Sequence, residues 1–357
     1  MGEPARAEDP STRIISACRI ERPADLGELP KKPAEIGKGD VLARAAHPLM
    51  VVGAFDRAIE KYDQAIELEP ANHRYYFGRG NVHRANRQFS KAVEDFDRSL
   101  SLEPNYFVAL RGRGATYAAM GEYDRAIKDF DEAIRLSSGN VRSYLERSSI
   151  YLAMRAYDRA LEDIEQAVKM DPRCAIGFAS RGYAHDLKGE RARATADYDL
   201  AIALDPAPGN AFALNRRAIT FYLKRDYDRS VNDLDQALKL EPRNAFALNN
   251  RCFYRAVAGT LNGVLADCNE ALRIRPNTPA ILDSRGLANL KMGSIDAAIA
   301  DYDAALAIDS RYANALYARG VAKQMKGDTA GGDADTAAAL AIKPNVADVM
   351  ALIGLKH

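Results

Sequence analysis

The residue types that most often carry chemistry are scattered along this chain. The five histidines, His47, His73, His83, His185 and His357, include no His-Glu-x-x-His pair and no two at metal-ligand spacing. Arg-Gly-Arg-Gly at 111–114 has the composition of a phosphate-cradling loop, but it falls within a helical pattern, where its glycines serve close helix approach. Asp and Glu are abundant, yet most recur at a fixed spacing, so no pair stands out as general acid and base. Four cysteines, Cys18, Cys174, Cys252 and Cys268, are too few for a disulfide framework. These residues predict no catalytic group, no cofactor and no metal, and hence no enzyme.

The fixed spacing identifies the elements that position everything else. Pro70, Pro104, Ser138, Pro172, Pro206, Pro242, Pro276, Ser310 and Pro344 recur every 34 residues, with one interval of 36. Such a period is the mark of stacked helix-turn-helix units. With Pro104 at position 32, one unit runs from 73 to 106 and the others fall into register. Position 4 is large and apolar (Tyr76, Leu110, Tyr144, Phe178, Leu214, Leu248, Leu282, Leu316), and position 8 is small (Gly80, Gly114, Ser148, Gly182, Ala218, Cys252, Gly286, Gly320). On the second helix, position 20 is mostly Ala and position 24 is bulky in Phe96, Phe130, Ile164, Tyr198, Leu234 and Tyr302. Small facing large predicts two closely packed helices per unit.

These registered positions, with near-consensus stretches such as Gly-Glu-Tyr-Asp-Arg-Ala-Ile-Lys-Asp-Phe-Asp-Glu-Ala-Ile at 121–134, resemble the tetratricopeptide repeat (TPR) family over roughly residues 39–346. The resemblance implies an all-α, right-handed α-solenoid superhelix of tandem helix-turn-helix units. Nine units are expected, at 39–72, 73–106, 107–140, 141–174, 175–210, 211–244, 245–278, 279–312 and 313–346, the first degenerate. Residues 1–38, with four prolines, read as a mostly extended tail, and 347–357 as a C-terminal capping helix with Met350 at position 4 and Gly354 at position 8. Pro48 falls inside the first helix of the first unit, where a proline costs about 3 kcal/mol, so that helix is expected to be broken, shortened or restarted. The two extra residues in the turn 205–210 are expected to leave the flanking helices in register.

The chain departs from the family in having no Trp, and in an Arg at position 7 of eight successive units, from Arg79 to Arg319. Each is matched sixteen residues later by an Asp, from Asp95 to Asp335. A half-buried guanidinium needs a carboxylate, so an Arg–Asp ladder within units or between neighbours is predicted, with a structural role.

Fifty Lys and Arg against 49 Asp and Glu exclude the basic excess of a non-specific nucleic-acid binder. No stretch suits a membrane helix or a secretory signal, so the chain as supplied reads as cytoplasmic, with a periplasmic or secreted protein as the alternative if an upstream signal is missing. Cys252 and Cys268 hold positions 8 and 24 of one unit; in a reducing cytosol two buried thiols are expected, and in an exported chain a disulfide.

The resemblance implies a non-catalytic scaffold or adaptor that binds a protein or peptide in a concave groove lined by positions 2, 5, 9 and 12 of the first helices. The candidates are Phe77, Asn81, Arg111 and Arg142, with Arg84 and Glu146 beside them, and Phe212, Asn215, Arg216, Phe246, Asn249, Asn250 and Phe253 further on. The first set is polar and positive, suiting an acidic segment, although the family's carboxylate clamp is matched only by Asn81 and Arg142. The second sets aromatic rings beside amides, which suits an extended peptide; the same rings could instead pack between adjacent first helices. Two further readings are a self-assembling structural array, hence a homo-oligomer, and an exported binder of cell-envelope material.

Overall fold

The computed structural model describes residues 37–204 and 211–355. Among them are nineteen helices and no strand. They form two compact units, an amino-terminal half ending at Glu190 and a carboxy-terminal half beginning at Arg191. The expected tail, up to residue 36, and the turn 205–210 lie outside the described residues.

The amino-terminal half holds α1 (Lys38–Val51), α2 (Phe55–Leu68), α3 (His73–Ala85), α4 (Phe89–Leu102), α5 (Phe107–Ala119), α6 (Tyr123–Leu136), α7 (Val141–Ala153), α8 (Tyr157–Met170) and α9 (Ala175–Leu187). Second helices bury one narrow stripe, as α6 does with Ala126, Asp129, Phe130 and Ala133. The turn between paired helices needs a left-handed residue, supplied by Gly121 (φ 80°) in one unit and by Arg155 (φ 59°) in the next. First helices start on a side-chain cap where position 34 is Asn: Asn140 Oδ1 accepts from the Ser143 amide at 2.9 Å.

Small-against-large packing closes each hairpin. The fully buried Phe96 ring on α4 lies between two glycines, and a Cβ at Gly80 or Gly112 would come within 3.0 or 2.8 Å of it. Position 24 therefore explains a small residue both in its own unit and in the next.

The Arg–Asp ladder is present and has an additional rung. Arg113 Nε and Nη2 donate to Asp129 at 2.9 and 2.7 Å, while Nη1 donates to Asp97 of the preceding unit at 2.6 Å. Arg79 and Arg147 do the same with Asp95 and Asp63, and with Asp163 and Asp131. One guanidinium thus ties a first helix to its own second helix and to the one before. Hydrogen bonding to Asp129 holds the Arg113 pKa above its usual value, against the opposing effect of burial.

The carboxy-terminal half holds α10 (Arg191–Leu204), α11 (Ala211–Leu223), α12 (Tyr227–Leu240), α13 (Ala245–Ala258), α14 (Val264–Ile274), α15 (Pro279–Lys291), α16 (Ile295–Ile308), α17 (Ala313–Met325), α18 (Thr329–Ile342) and α19 (Val346–Ala351). The ladder continues through Arg217, Arg251, Arg285 and Arg319, Asn269 replacing the preceding-unit Asp for Arg285. Arg217 Nη1 reaches Asp199 at 2.6 Å across eighteen residues instead of sixteen, so the insertion leaves the flanking helices in register.

Two expectations fail. Helix α1 runs unbroken through Pro48 to Val51. Pro48 and Arg44 are exposed, so the carbonyl that Pro48 cannot bond is on the solvent side, and Ala46, Leu49 and Met50 pack against Ala58 and Val82 to hold the last turn. At the other end, the capping helix stops at Ala351 and does not reach Leu355. Gly354 adopts φ 76° in a turn instead of a helix contact, while Val346, Met350 and Leu355 are buried on the last apolar face.

Asp129→Ala should destabilise the array by about 3 kcal/mol by stripping Arg113 of its buried partner. Asp97→Ala, removing a half-exposed partner, should cost less than about 1 kcal/mol. Urea unfolding with hydrogen exchange of α5 and α6 checks this, and equal costs would contradict the assignment.

Candidate functional site

In the amino-terminal half, three successive first helices bring their charged positions together. Arg84 comes from the last turn of α3, Arg111 from α5, and Arg142 from the first turn of α7 with Glu146 one turn later. Arg142 Nε donates to Glu146 Oε1 at 2.9 Å, and Arg111 Nε lies 3.5 Å from Glu146 Oε2. Arg111 and Glu146 are 8% and 7% exposed. Arg84 Nη2 donates to Asn81 Oδ1 at 3.4 Å, and its buried Nε has no hydrogen-bond partner among the described residues. Burial pulls the Arg84 pKa below its usual value; Glu146 opposes this, and the like charges of Arg142 and Arg111 add to it. Thus Asn81, Arg111 and Arg142 are gathered at one place. Phe77 packs instead against Tyr106 and Phe96, with ring centroids at 5.4 and 6.0 Å.

In the carboxy-terminal half, the candidates divide by burial. Phe253 sits 5.7 Å from Tyr222, which stacks on the buried Tyr254 at 4.2 Å, so these rings fill the space between α11 and α13. Burial pushes the Tyr222 hydroxyl up to about 12. Phe246 is 42% exposed, with the Arg275 guanidinium 5.5 Å above its ring. Arg216 lies 5.3 Å over Phe212, and Asn250 is half-buried. Asn215 and Asn249 share position 5 of neighbouring units, and the Oδ1 of each is buried without a hydrogen-bond partner among the described residues.

The sequence reading missed Asp283, which holds the same position 5 one unit later. Burial pushes its carboxyl up to about 7, opposed by a 3.4 Å hydrogen bond donated by Tyr312. The register that selected Asn215 and Asn249 would have selected it. Also missed was the second ladder carboxylate at position 25, because a recurrent exposed Asp looks like a solvated face.

Two histidines serve as hairpin ties: His83 Nδ1 is 2.7 Å from Gln88 Oε1, and His185 Nδ1 is 2.7 Å from Glu190 Oε2. Among the described residues no three His, Cys, Asp or Glu side chains form a group that could hold a metal, and no helix is long and apolar enough to cross a membrane. Cys252 and Cys268 are bonded to each other, with Cα atoms 5.6 Å apart, in place of the two thiols expected of a reducing compartment. They stand where Gly286 meets the Tyr302 ring in the next unit, so the ordinary hairpin contact brings their sulfurs together.

Tetratricopeptide repeat profiles match residues 107–140, and 44–107 with 145–211, and a TPR repeat profile matches 286–327. The chain belongs to the tetratricopeptide repeat family. Solved TPR structures share its fold. A tetratricopeptide repeat protein from Parabacteroides merdae is 16% identical, with TM-score 0.56 over 71% of this chain and 99% of that one. The APC/C hetero-tetramer Cut9–Hcn1 gives 11% identity and TM-score 0.53, over 90% and 96%. None of the curated proteins matches the chain at a significant level.

Two outcomes follow for the TPR array. Cys268→Ser should lower stability by about 3 kcal/mol, as expected for a closed loop of this size, and alkylation after unfolding without reductant should leave Cys252 and Cys268 unmodified; labelling of either contradicts the bond. Asp283 binds a proton more tightly in the folded than in the unfolded state, so stability should fall as pH rises from about 4 to about 7 and level off above. Asp283→Asn should flatten that slope in thermal melts and raise stability at alkaline pH; an unchanged slope contradicts the assignment.

Proposed function

We propose that this TPR array is a non-catalytic scaffold whose first-helix face captures an extended segment of a partner protein. The observation that carries the reading is the pair of buried, unpartnered amide oxygens of Asn215 and Asn249 beside the open ring of Phe246. A buried acceptor without a donor costs about 1–3 kcal/mol, and a ligand that donates to it recovers that cost. Neighbouring helices pack about 8–10 Å apart, a span that extended chain covers in about three residues. Repeated backbone amides of one peptide therefore suit amides repeated at position 5, while Phe246 buries an apolar side chain.

The Cys252–Cys268 bond favours a second reading of where the array works, an oxidising compartment, without altering what its face binds.

Affinity capture with the full chain and mass spectrometry of what it retains tests the scaffold reading. Asn215→Ala with Asn249→Ala, or Phe246→Ala alone, should abolish capture with the helical signal and the solution mass unchanged. Undiminished capture would sink the reading, and a changed solution mass would favour self-assembly.

A further inference from the structure

The ladder shows how this fold treats an arginine that only supports structure: Arg113 is held by two carboxylates, Asp129 and Asp97. On the first-helix face of the same half the proportion is inverted, since Arg84, Arg111 and Arg142 gather around the single carboxylate of Glu146. Three consecutive units each supply one of these guanidiniums, from positions 12, 5 and 2. Stability alone does not call for such a group, because like charges on a half-buried face oppose folding.

The geometry points to a receptor for a phosphoryl group carried by a partner segment, formed by Arg84, Arg111 and Arg142 with Glu146 as the internal counter-charge. A phosphomonoester brings about two negative charges and three acceptor oxygens, which planar guanidinium forks bind bidentately. A carboxylate brings one charge and two oxygens and would satisfy less of the group. The buried Arg84 Nε, without an acceptor among the described residues, gives one donor for such an oxygen. Glu146 already bonds Arg142 and lies against Arg111, so it keeps both guanidiniums in place before a ligand arrives. The inference rests on the reading that first-helix faces take partner segments, and it adds the chemistry of the group they recognise.

Calorimetric titration of the full chain at low salt provides the test, using a capped Gly-Gly-phosphoserine-Gly-Gly peptide, the same peptide with Glu, and inorganic phosphate. The phosphopeptide should bind about tenfold or more tightly than the Glu peptide, through at least one further charge-assisted bond. It should also bind more tightly than inorganic phosphate. Arg142→Ala should weaken it at least about tenfold and Arg142→Lys less, while Glu146→Gln should tighten it by removing the competing carboxylate. Circular dichroism melts confirm that the variants fold. Equal affinity for the Glu peptide, binding untouched by Arg142→Ala, or inorganic phosphate binding as tightly as the phosphopeptide would each overturn the assignment. Partner capture that fails in the Asn215, Asn249 and Phe246 variants while phosphopeptide binding persists would instead count against a peptide row in the carboxy-terminal half.

Discussion

Each repeat in this array hangs on one half-buried guanidinium. The position-7 arginine sends two donors to the Asp of its own second helix and a third to the preceding second helix, as Arg113 does with Asp129 and Asp97. Because the fork is planar and rigid, those bonds fix the distance between the helices of a hairpin and also the step between hairpins. Phe96 wedged between Gly80 and Gly112 makes the same two connections with apolar surface. A stack built this way grows lengthwise from nearest-neighbour contacts and needs no central core.

Most of that architecture was legible in the sequence, because a structural constraint repeated every 34 residues leaves a registered trace. Half of the ladder was visible as Arg and Asp sixteen residues apart. The other half, through Asp63, Asp97 or Asp131, was not, since a long side chain reaching back one unit makes a contact that the register of a single hairpin does not reveal. The errors came where local rules met tertiary packing. Propensity argued against a helix through Pro48, but Ala46, Leu49 and Met50 are anchored on the next helices and the proline lies on the exposed side. The capping helix was extended to Leu355 by its apolar pattern, whereas with no further unit to pack on, Leu355 reaches the core from a turn. Compartment reasoning favoured thiols at Cys252 and Cys268, and the contact between positions 8 and 24 joins them.

The first-helix face was less legible, because its residues vary where the packing residues do not. Composition cannot separate an aromatic that fills the space between helices, as Phe77, Tyr222 and Phe253 do, from one left open, as Phe246 is. The polar positions have a different difficulty: Asn215, Asn249 and Asp283 form a row only once the repeat is folded. Arg84, Arg111 and Arg142 come from three different positions of three units, and no periodic reading aligns them. What the two halves share is a division of labour in which ladder and wedge residues hold the helices and the remaining first-helix positions are released for recognition.

The structure of the full chain with a captured partner segment tests that division most directly. The account expects the segment to lie on positions 2, 5, 9 and 12 of the first helices, with Arg113 still bonded to Asp129 and Asp97. A segment lying on the outer second-helix surface, or ladder arginines turned away from their aspartates to meet it, would contradict the account.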